Sequence, residues 1–478
     1  MADILLINPP LTQEELFARG SEATATINPP LGLAYIAAAL EADGHHVEIL
    51  DGIAEYVPLD RVAARAKDFD FVGITVLSSF FKRYVELIGE IKKVSKVTVI
   101  AGGAHTTVMP GSVLNAGANY AVVGEGERTT RELIAALDRE KTADLSSVKG
   151  IAFLRDGNVV MTGKRELIHD LDEVPFPARH LLPMEKYKTS EARAHRNPSH
   201  ALVVSRGCPG TCTFCSKALF GTTFRCHSPQ RIFEEMRVLR DRYGAREIAF
   251  FDDGFTSDKN ILIALCDMLI KNNFGLPWSC EARIDSIEEE MLKAMKRAGC
   301  EFIAYGIESG SDEILRSVNK KITTAIIRRA VSMTKSAGIA MRGYFMLGFV
   351  GETREQMRQT IDFACELELD IASFTLLVPL PGTVDYVRAK KENSYFDPEF
   401  YRNVLLTEFN FPDKPVYVPA GMTADELIEI HKEAYRRFYF RPLFLAKQIL
   451  GIRDIQGAMR LLKGGATLLK GAAKSRQR

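Results

Sequence analysis

Short apolar runs alternating with helical patterns restrict the fold of this chain more than any other feature. Up to about residue 145 there are five such runs, in ADILLINPP, HVEILDG, FVGITVLSS, VTVIAGGAH and ANYAVVGEGE. Runs this short, bounded by turn residues, read as strands buried on both faces, and their alternation with helices predicts an open parallel sheet. Between the first two, PPLGLAYIAAALEADGH carries Pro29 and Pro30 at a helix start, Leu33, Ile36, Ala37 and Leu40 at helical spacing, and Gly44 past the last turn. The runs end in Gly, Pro, Ser or Asn, which puts loops at the carboxyl edge, where open α/β sheets bind ligands. Residues 146–197 read as a connector, with a hairpin signal at Asp156-Gly157 and the Pro-punctuated DEVPFPARHLLP. Across 198–410 six more strands follow, in ALVVSR, EIAFFDD, WSCEARID, FIAYGIES, GYFMLGF and IASFTLLVP, separated by amphipathic helices such as SPQRIFEEMRVLRDRYG. Six β/α repeats predict a partial barrel with its chemistry at the carboxyl strand ends. Residues 411–478 are expected to form a helical, basic segment. The expected fold class is α/β: a Rossmann-like open parallel sheet at residues 1–145, then a partial (β/α)6 barrel and the helical segment.

A chain of 478 residues has room for two to four such units. Its 62 basic and 61 acidic residues nearly cancel, so no overall field argues for nucleic acid. From Ala434 onward, however, eleven Lys or Arg face the single acidic Asp454. The start, MADILLINPP, has Asp3, no basic region and no small-residue cleavage site, and reads as a first strand rather than a signal peptide. No apolar run approaches the roughly eighteen residues of a spanning helix. The expected compartment is the cytoplasm, where clustered cysteines hold metal more often than they form disulfides.

Three of the eight cysteines lie together in RGCPGTCTFCS. Cys208, Cys212 and Cys215 follow the first barrel strand directly, at C-x3-C-x2-C spacing. Structural zinc takes four ligands in paired spacings, and no second C-x2-C or His pair completes a set; His227 is merely the nearest histidine on the C-terminal side. An inert buried trio would not need a loop rich in Gly and Pro. The favoured reading is a four-iron, four-sulfur cluster held by three thiolates, with one iron left open. Cys226, Cys266, Cys280, Cys300 and Cys365 lack ligand spacing and are expected mostly in the core.

The cysteine loop and the motifs after it resemble the radical S-adenosylmethionine (radical SAM) superfamily. The resemblance implies that the open iron binds S-adenosylmethionine, whose reductive cleavage yields a deoxyadenosyl radical, and it matches Phe214 to the aromatic residue before the third cysteine. In FFDDGFTSD, Asp252, Asp253 and Gly254 stand where a Gly-Gly-Glu motif usually meets the methionyl amino group. Arg283 matches a position close to S-adenosylmethionine, and Glu308 and Ser309 in YGIESGS match ribose contacts. Gly348, Gly351 and Glu352 in FMLGFVGET match the glycine motif beside adenine, with Val350 where Pro is usual, and LLVPLPGT supplies the sixth strand end. Taken singly, a strand-ending acid is often only an N-cap and a glycine only a turn.

No cysteine precedes Cys208, which weighs against a methylthiotransferase with its second cysteine set. Instead NPPLGLAYIAAAL, AGGAHTTVMPGSVL and VVGEGE resemble the N-terminal domain of cobalamin-binding radical SAM proteins. The resemblance implies cobalamin contacts at Leu31, Gly32, Ser78, Gly102, Gly103, His105, Gly124, Glu125 and Gly126; glycines there let backbone amides approach a large ligand. The residues alone also allow a Rossmann-like sheet with another ligand or none. The D-x-H-x-x-G motif that supplies an axial histidine elsewhere is missing: DGHHVE has Asp43 and His45 but Glu48 in place of Gly. His45 and His46 are read as loop residues, and His105, in the loop after the fourth strand, as near cobalamin without ligating cobalt.

The combination implies a two-stage reaction, in which the deoxyadenosyl radical abstracts hydrogen and methylcobalamin delivers a methyl group. Methyl transfer to an unactivated carbon of a small molecule or lipid is the first expectation. Radical cyclisation or oxidation without net methylation is the second, and a non-catalytic cobalamin or redox sensor the third. The implied partners are the substrate and a reductant such as flavodoxin or ferredoxin, with no nucleic acid. The basic tail is read first as a helical cap on the barrel with a solvated basic face, and second as compatible with peripheral contact at the inner face of the membrane. No motif identifies the substrate.

Overall fold

In the first half, strand alternation builds two cores at once. The computed structural model describes residues 1–12, 15–16, 26–139, 145–187, 189, 196–392, 395–405, 415–442 and 444–446. Along β1 (Asp3–Asn8), Ile4 and Leu6 face one hydrophobic cluster, while Leu5 and Ile7 face another. Such a strand has no polar face, as the sheet interior requires. Helix α1 (Leu31–Ala42) lays Leu33, Ala34, Ala37 and Leu40 on the first cluster and ends at Gly44, whose φ is +82°. Strand β2 (His46–Asp51) flanks β1 on one side and β3 (Phe71–Thr75) on the other. Helix α2 (Phe81–Val94), β4 (Thr98–Gly102), α3 (Ala104–Val108), β5 (Tyr120–Val122) and α4 (Gly126–Arg139) follow, and the parallel order is β2-β1-β3-β4-β5. The order in which strands are added reverses between β1 and β3, the switch point where such sheets open a crevice.

Two details depart from the sequence reading. His46 is the first residue of β2 rather than a loop residue, and its Nδ1 lies 2.9 Å from the Asp3 carboxylate on β1. The hairpin at Asp156-Gly157 is present, with φ of +51° and +76°, as a turn that matches strand twist requires. Its strands β6 (Ile151–Arg155) and β7 (Asn158–Met161) add antiparallel to β5, so the first sheet runs to seven strands. The sheet therefore ends at Met161, not near 145, because the edge of β5 was still open for pairing.

The second sheet begins at β8 (Ser199–Leu202), followed by a short ladder of β9 (Ser205–Arg206) with β10 (Arg225–Cys226). Helix α5 (Pro229–Tyr243) shows how locally such elements are encoded. Ser228 Oγ accepts from the N–H of Arg231, Pro229 opens the helix, and Gly244 closes it in the left-handed region. The remaining strands are β11 (Glu247–Phe250), β12 (Trp278–Arg283), β13 (Cys300–Glu308), β14 (Ala340–Leu347) and β15 (Ile371–Leu376). With β8 they form six parallel strands in the order β15-β14-β13-β12-β11-β8. Between β14 and β15 runs α6 (Arg354–Glu366). Cys266, Cys280 and Cys300 lie in the hydrophobic core between strands and helices, and Cys226 and Cys365 pack partly buried against it.

Helix α7 (Ala424–Tyr439) starts at a Thr423/Glu426 capping box and covers the open edge of β15. Tyr439 Oη donates to the Ala372 carbonyl at 2.8 Å, Tyr435 Oη to the Phe374 carbonyl at 3.1 Å, and His431 Nε2 lies 2.9 Å from that same carbonyl. Side chains thus take the place of a seventh strand at an edge that would otherwise invite pairing. Helix α7 caps this edge of the sheet; the tail expected to form a helical cap lies, from 447 onward, outside the described residues. Among the described residues no helix is long and apolar enough to cross a membrane.

Candidate active site

The β9–β10 ladder places Arg206 opposite Arg225 and closes residues 207–224 into a loop. Gly207 sits at the crossing with φ +81°, and a Cβ there would lie 2.3 Å from the Thr223 carbonyl oxygen, so only glycine fits. Cys208, Cys212 and Cys215 on this loop are all free thiols. Three cations, none anticipated as a group, surround them. Burial opposes the charge of the Lys217 ammonium, but the neighbouring Cys215 and Cys208 hold its pKa above the usual lysine value. The Arg283 guanidinium packs against Gly210 beside Cys208 and donates to Asp285 at 2.7 Å. Lys320, buried, pairs with Glu308 at 2.8 Å and feels the charge of Cys212. Cations beside thiols favour the thiolate, the form that binds metal, but burial outweighs them at Cys215 and raises its thiol above the ordinary value.

Among the described residues no group of three or more His, Cys, Asp or Glu could hold a single metal ion. His227, the remaining zinc candidate, is buried and engaged with Asp172 at 3.0 Å. Three soft thiolates with a cationic rim and no fourth ligand fit an iron–sulfur cluster better than zinc.

At the other strand ends the residues divide into those facing the site and those absorbed by the scaffold. Asp252 belongs to the second group. Its Oδ1 accepts from the N–H groups of Val204 and Ser205 and from the Ser205 hydroxyl, tying β11 to the base of the cysteine loop, and burial pushes its carboxyl up to about 7. Asp253 is exposed and acts electrostatically on Cys215. Gly254 is buried, and a Cβ would meet Ser257 Oγ at 2.8 Å. Glu308 adopts φ +70° and holds Lys320. Ser309, expected at the ribose, is fully buried: its hydroxyl lies 3.0 Å from Thr360 Oγ1 and accepts from the N–H of Ser311. Those bonds lock the strand-to-helix join and leave no hydroxyl for a sugar. Gly348 and Gly351 have φ of +81° and +78°, and Glu352 bridges the turn by accepting from Gly348 N–H at 2.6 Å and Phe349 N–H at 3.0 Å. Phe214 packs on Phe349 at 5.6 Å between ring centroids, joining the cysteine loop to the β14 end.

In the first domain, Gly32, Gly102 and Gly124 have open space where a side chain would be. Gly103, at φ +106°, packs on the Val76 carbonyl, and a side chain at Gly126 would meet Ile36 at 2.9 Å; these two glycines serve close packing. Leu31 is buried against Ile168, Leu171 and Ala201. His105 lies in the first turn of α3, not in a loop, and is fully buried. Ser78 Oγ is 2.9 Å from its Nδ1 and Ser112 Oγ 2.9 Å from its Nε2, while Phe81 and Tyr401 pack on the ring. With both nitrogens engaged, and with burial taking its pKa down to about 4, His105 is a neutral packing residue. Glu125 is engaged elsewhere: its carboxylate binds Arg206, Arg225 and the N–H of Ile168, all within 3.1 Å.

One apolar cluster spans the two domains. It joins Val76 and Phe81, beyond β3, to Phe349, Leu377 and Tyr401 of the second half, with Phe214 packed against it. The carboxyl edges of both sheets therefore face a shared apolar layer.

A family model described as the radical SAM superfamily matches residues 202–364, and one for the B12 binding domain matches residues 22–134. An uncharacterized methyltransferase of Pyrococcus horikoshii is 35% identical over 456 residues, covering 93% of this chain and 94% of that protein. The chain belongs to the cobalamin-binding radical SAM family. An anaerobic magnesium-protoporphyrin IX monomethyl ester cyclase of Rubrivivax gelatinosus is 29% identical over 428 residues, 87% of this chain and 75% of that protein. The radical SAM methyltransferase TsrM of Kitasatospora setae, solved with cobalamin and a [4Fe-4S] cluster, shares the fold at a TM-score of 0.70 and 19% identity, over 92% of this chain and 89% of that one. This radical SAM protein is an enzyme of the cobalamin-dependent methyltransferase family, with a [4Fe-4S] cluster, S-adenosylmethionine and cobalamin as cofactors and a need for a reductant.

Proposed function

We propose that this radical SAM enzyme methylates an unactivated carbon of a small molecule held between its two domains. The observation that carries the reading is the apolar layer shared by the two carboxyl edges, from Val76 and Phe81 to Phe349 and Leu377. Such a wall keeps water from a reactive substrate and holds the reacting groups close. When bound, the cluster and S-adenosylmethionine supply a carbon-centred radical, and cobalamin supplies the methyl group. Cys208, Cys212 and Cys215 would hold the cluster, with Lys217, Arg283 and Lys320 forming the cationic rim around them. Asp253 and Glu308 would orient S-adenosylmethionine, and the open backbone at Gly32, Gly102 and Gly124 would receive cobalamin. Reduced thiols agree with a cytoplasmic setting. The membrane contact expected from the basic tail has no support in the comparisons.

The test is anaerobic reconstitution with iron, sulfide, cobalamin, a reductant and methyl-labelled S-adenosylmethionine, with cell extract as the substrate source. Methylation predicts that 5′-deoxyadenosine and S-adenosylhomocysteine rise together, that a labelled product appears, and that all three fall in Cys212→Ala. The cyclase relative favours a second reading, radical cyclisation, which predicts 5′-deoxyadenosine without label transfer.

A further inference from the structure

The Gly124-Glu125-Gly126-Glu127 segment does two jobs on opposite sides. Gly124 leaves open backbone on the side expected for cobalamin, while Glu125 and Glu127 reach across the domain boundary. Arg206 Nη1 donates to Glu125 Oε1 at 3.0 Å, and Arg206 Nη2 to Glu127 Oε1 at 2.5 Å. Arg225 Nη1 donates to Glu125 at 2.8 and 3.1 Å and to the Ile168 carbonyl at 2.6 Å. Arg225 Nη2 also donates to the Phe220 carbonyl inside the loop, and the Arg206 guanidinium lies over the rings of Tyr35 and Phe220. All four charged side chains are at most 10% exposed.

Arg206 and Arg225 are ladder partners at the two ends of the cysteine loop. Like charges placed opposite on adjacent strands repel, and burial worsens the repulsion. Among the described residues, the carboxylates that hydrogen-bond these two arginines are Glu125 and Glu127, and both come from the first domain. Two positive and two negative charges then balance, and the loop base closes. We propose that Glu125 and Glu127 are positioning residues for the iron–sulfur cluster, so that the cysteine loop is completed by the cobalamin-binding domain and the two cofactors are held at a set separation. This goes beyond the assignment of the cofactors and stands whether the enzyme methylates or cyclises.

The experiment uses full-length holoenzyme carrying Glu125→Gln or Glu127→Gln. The control, Glu235→Gln, breaks another buried ion pair, with Arg179 at 2.9 Å, that hydrogen-bonds no residue of the loop. The first readout is the rate of iron release to a chelator, and the second is dipolar EPR between cob(II)alamin and the reduced cluster. The two loop variants should release iron at least about tenfold faster than wild type, as expected when a buried charge loses its partner. Their spin–spin distance distributions should broaden, while the control stays near wild type on both readouts. Wild-type iron release and distances in the loop variants would overturn the proposal, and so would equal losses in the control, which would mark general destabilisation. Should Glu125→Gln fail to fold, Glu127→Gln, which leaves Arg225 paired with Glu125, decides the question by the same two readouts.

Discussion

Replacing Glu352 by Gln should flatten the pH dependence of barrel stability by a predictable amount. The Glu352 carboxyl is 2% exposed, its Oε2 takes two backbone N–H groups, and its Oε1 makes no hydrogen bond among the described residues. Burial raises its pKa from the ordinary 4.5 to about 8, outweighing the pull of the N–H groups from Phe349 and Gly348. A folded carboxyl that keeps its proton to higher pH than the unfolded one stabilises fully below 4.5, and that contribution is lost as pH climbs to about 8. At about 1.4 kcal/mol per pH unit while only the unfolded form ionises, wild type should lose roughly 2–3 kcal/mol from this group between pH 6 and 9. The Gln variant cannot ionise. Its unpaired amide costs about 1–3 kcal/mol, but equally at every pH. Urea unfolding of the cluster-free protein can be followed at Trp278, the single tryptophan, which is 1% exposed in the barrel core. Asp252, also raised by burial, titrates in both proteins and largely cancels in their difference. Parallel pH profiles for wild type and Glu352→Gln would refute the reasoning, because they would mean that the carboxyl is hydrated or already neutralised.

Gly207→Ala should abolish cluster assembly, since left-handed backbone alone strains a non-glycine residue by about 1–3 kcal/mol before the clash with Thr223 is counted; iron per chain measures it. His105→Gln should leave the cob(II)alamin EPR spectrum unchanged, with no nitrogen coupling from the chain in either protein; loss of such coupling in the variant would make His105 a ligand after all. The same substitution should relieve acid lability, because a buried histidine with its pKa lowered from 6.5 to about 4 gives stability that is present above 6.5 and lost as pH falls to about 4. Tyr439→Phe removes one hydrogen bond from the edge of β15 and should cost about 0.5–1.5 kcal/mol in unfolding read at Trp278.

What the sequence by itself determined was local. Strand alternation in DILLIN, the Ser228-Pro229 start and Gly244 stop of α5, and the Asp156-Gly157 hairpin depend on residues within one or two turns of each other, so period and punctuation sufficed. The cysteine loop was equally legible, because its three thiols lie within eight consecutive positions. Tertiary structure decided which polar groups remained free for ligands. Asp252, Ser309 and His105 looked like site residues, but Ser205, Thr360, Ser78 and Ser112 had already engaged them. Lys320 carried no signal until Glu308 and Cys212 surrounded it. Glu125 and Arg225 are 100 positions apart, and no spacing rule connects a carboxylate to a guanidinium across a domain boundary. A buried polar group must be paired, and the partner that satisfies it is chosen by packing between elements distant in the chain.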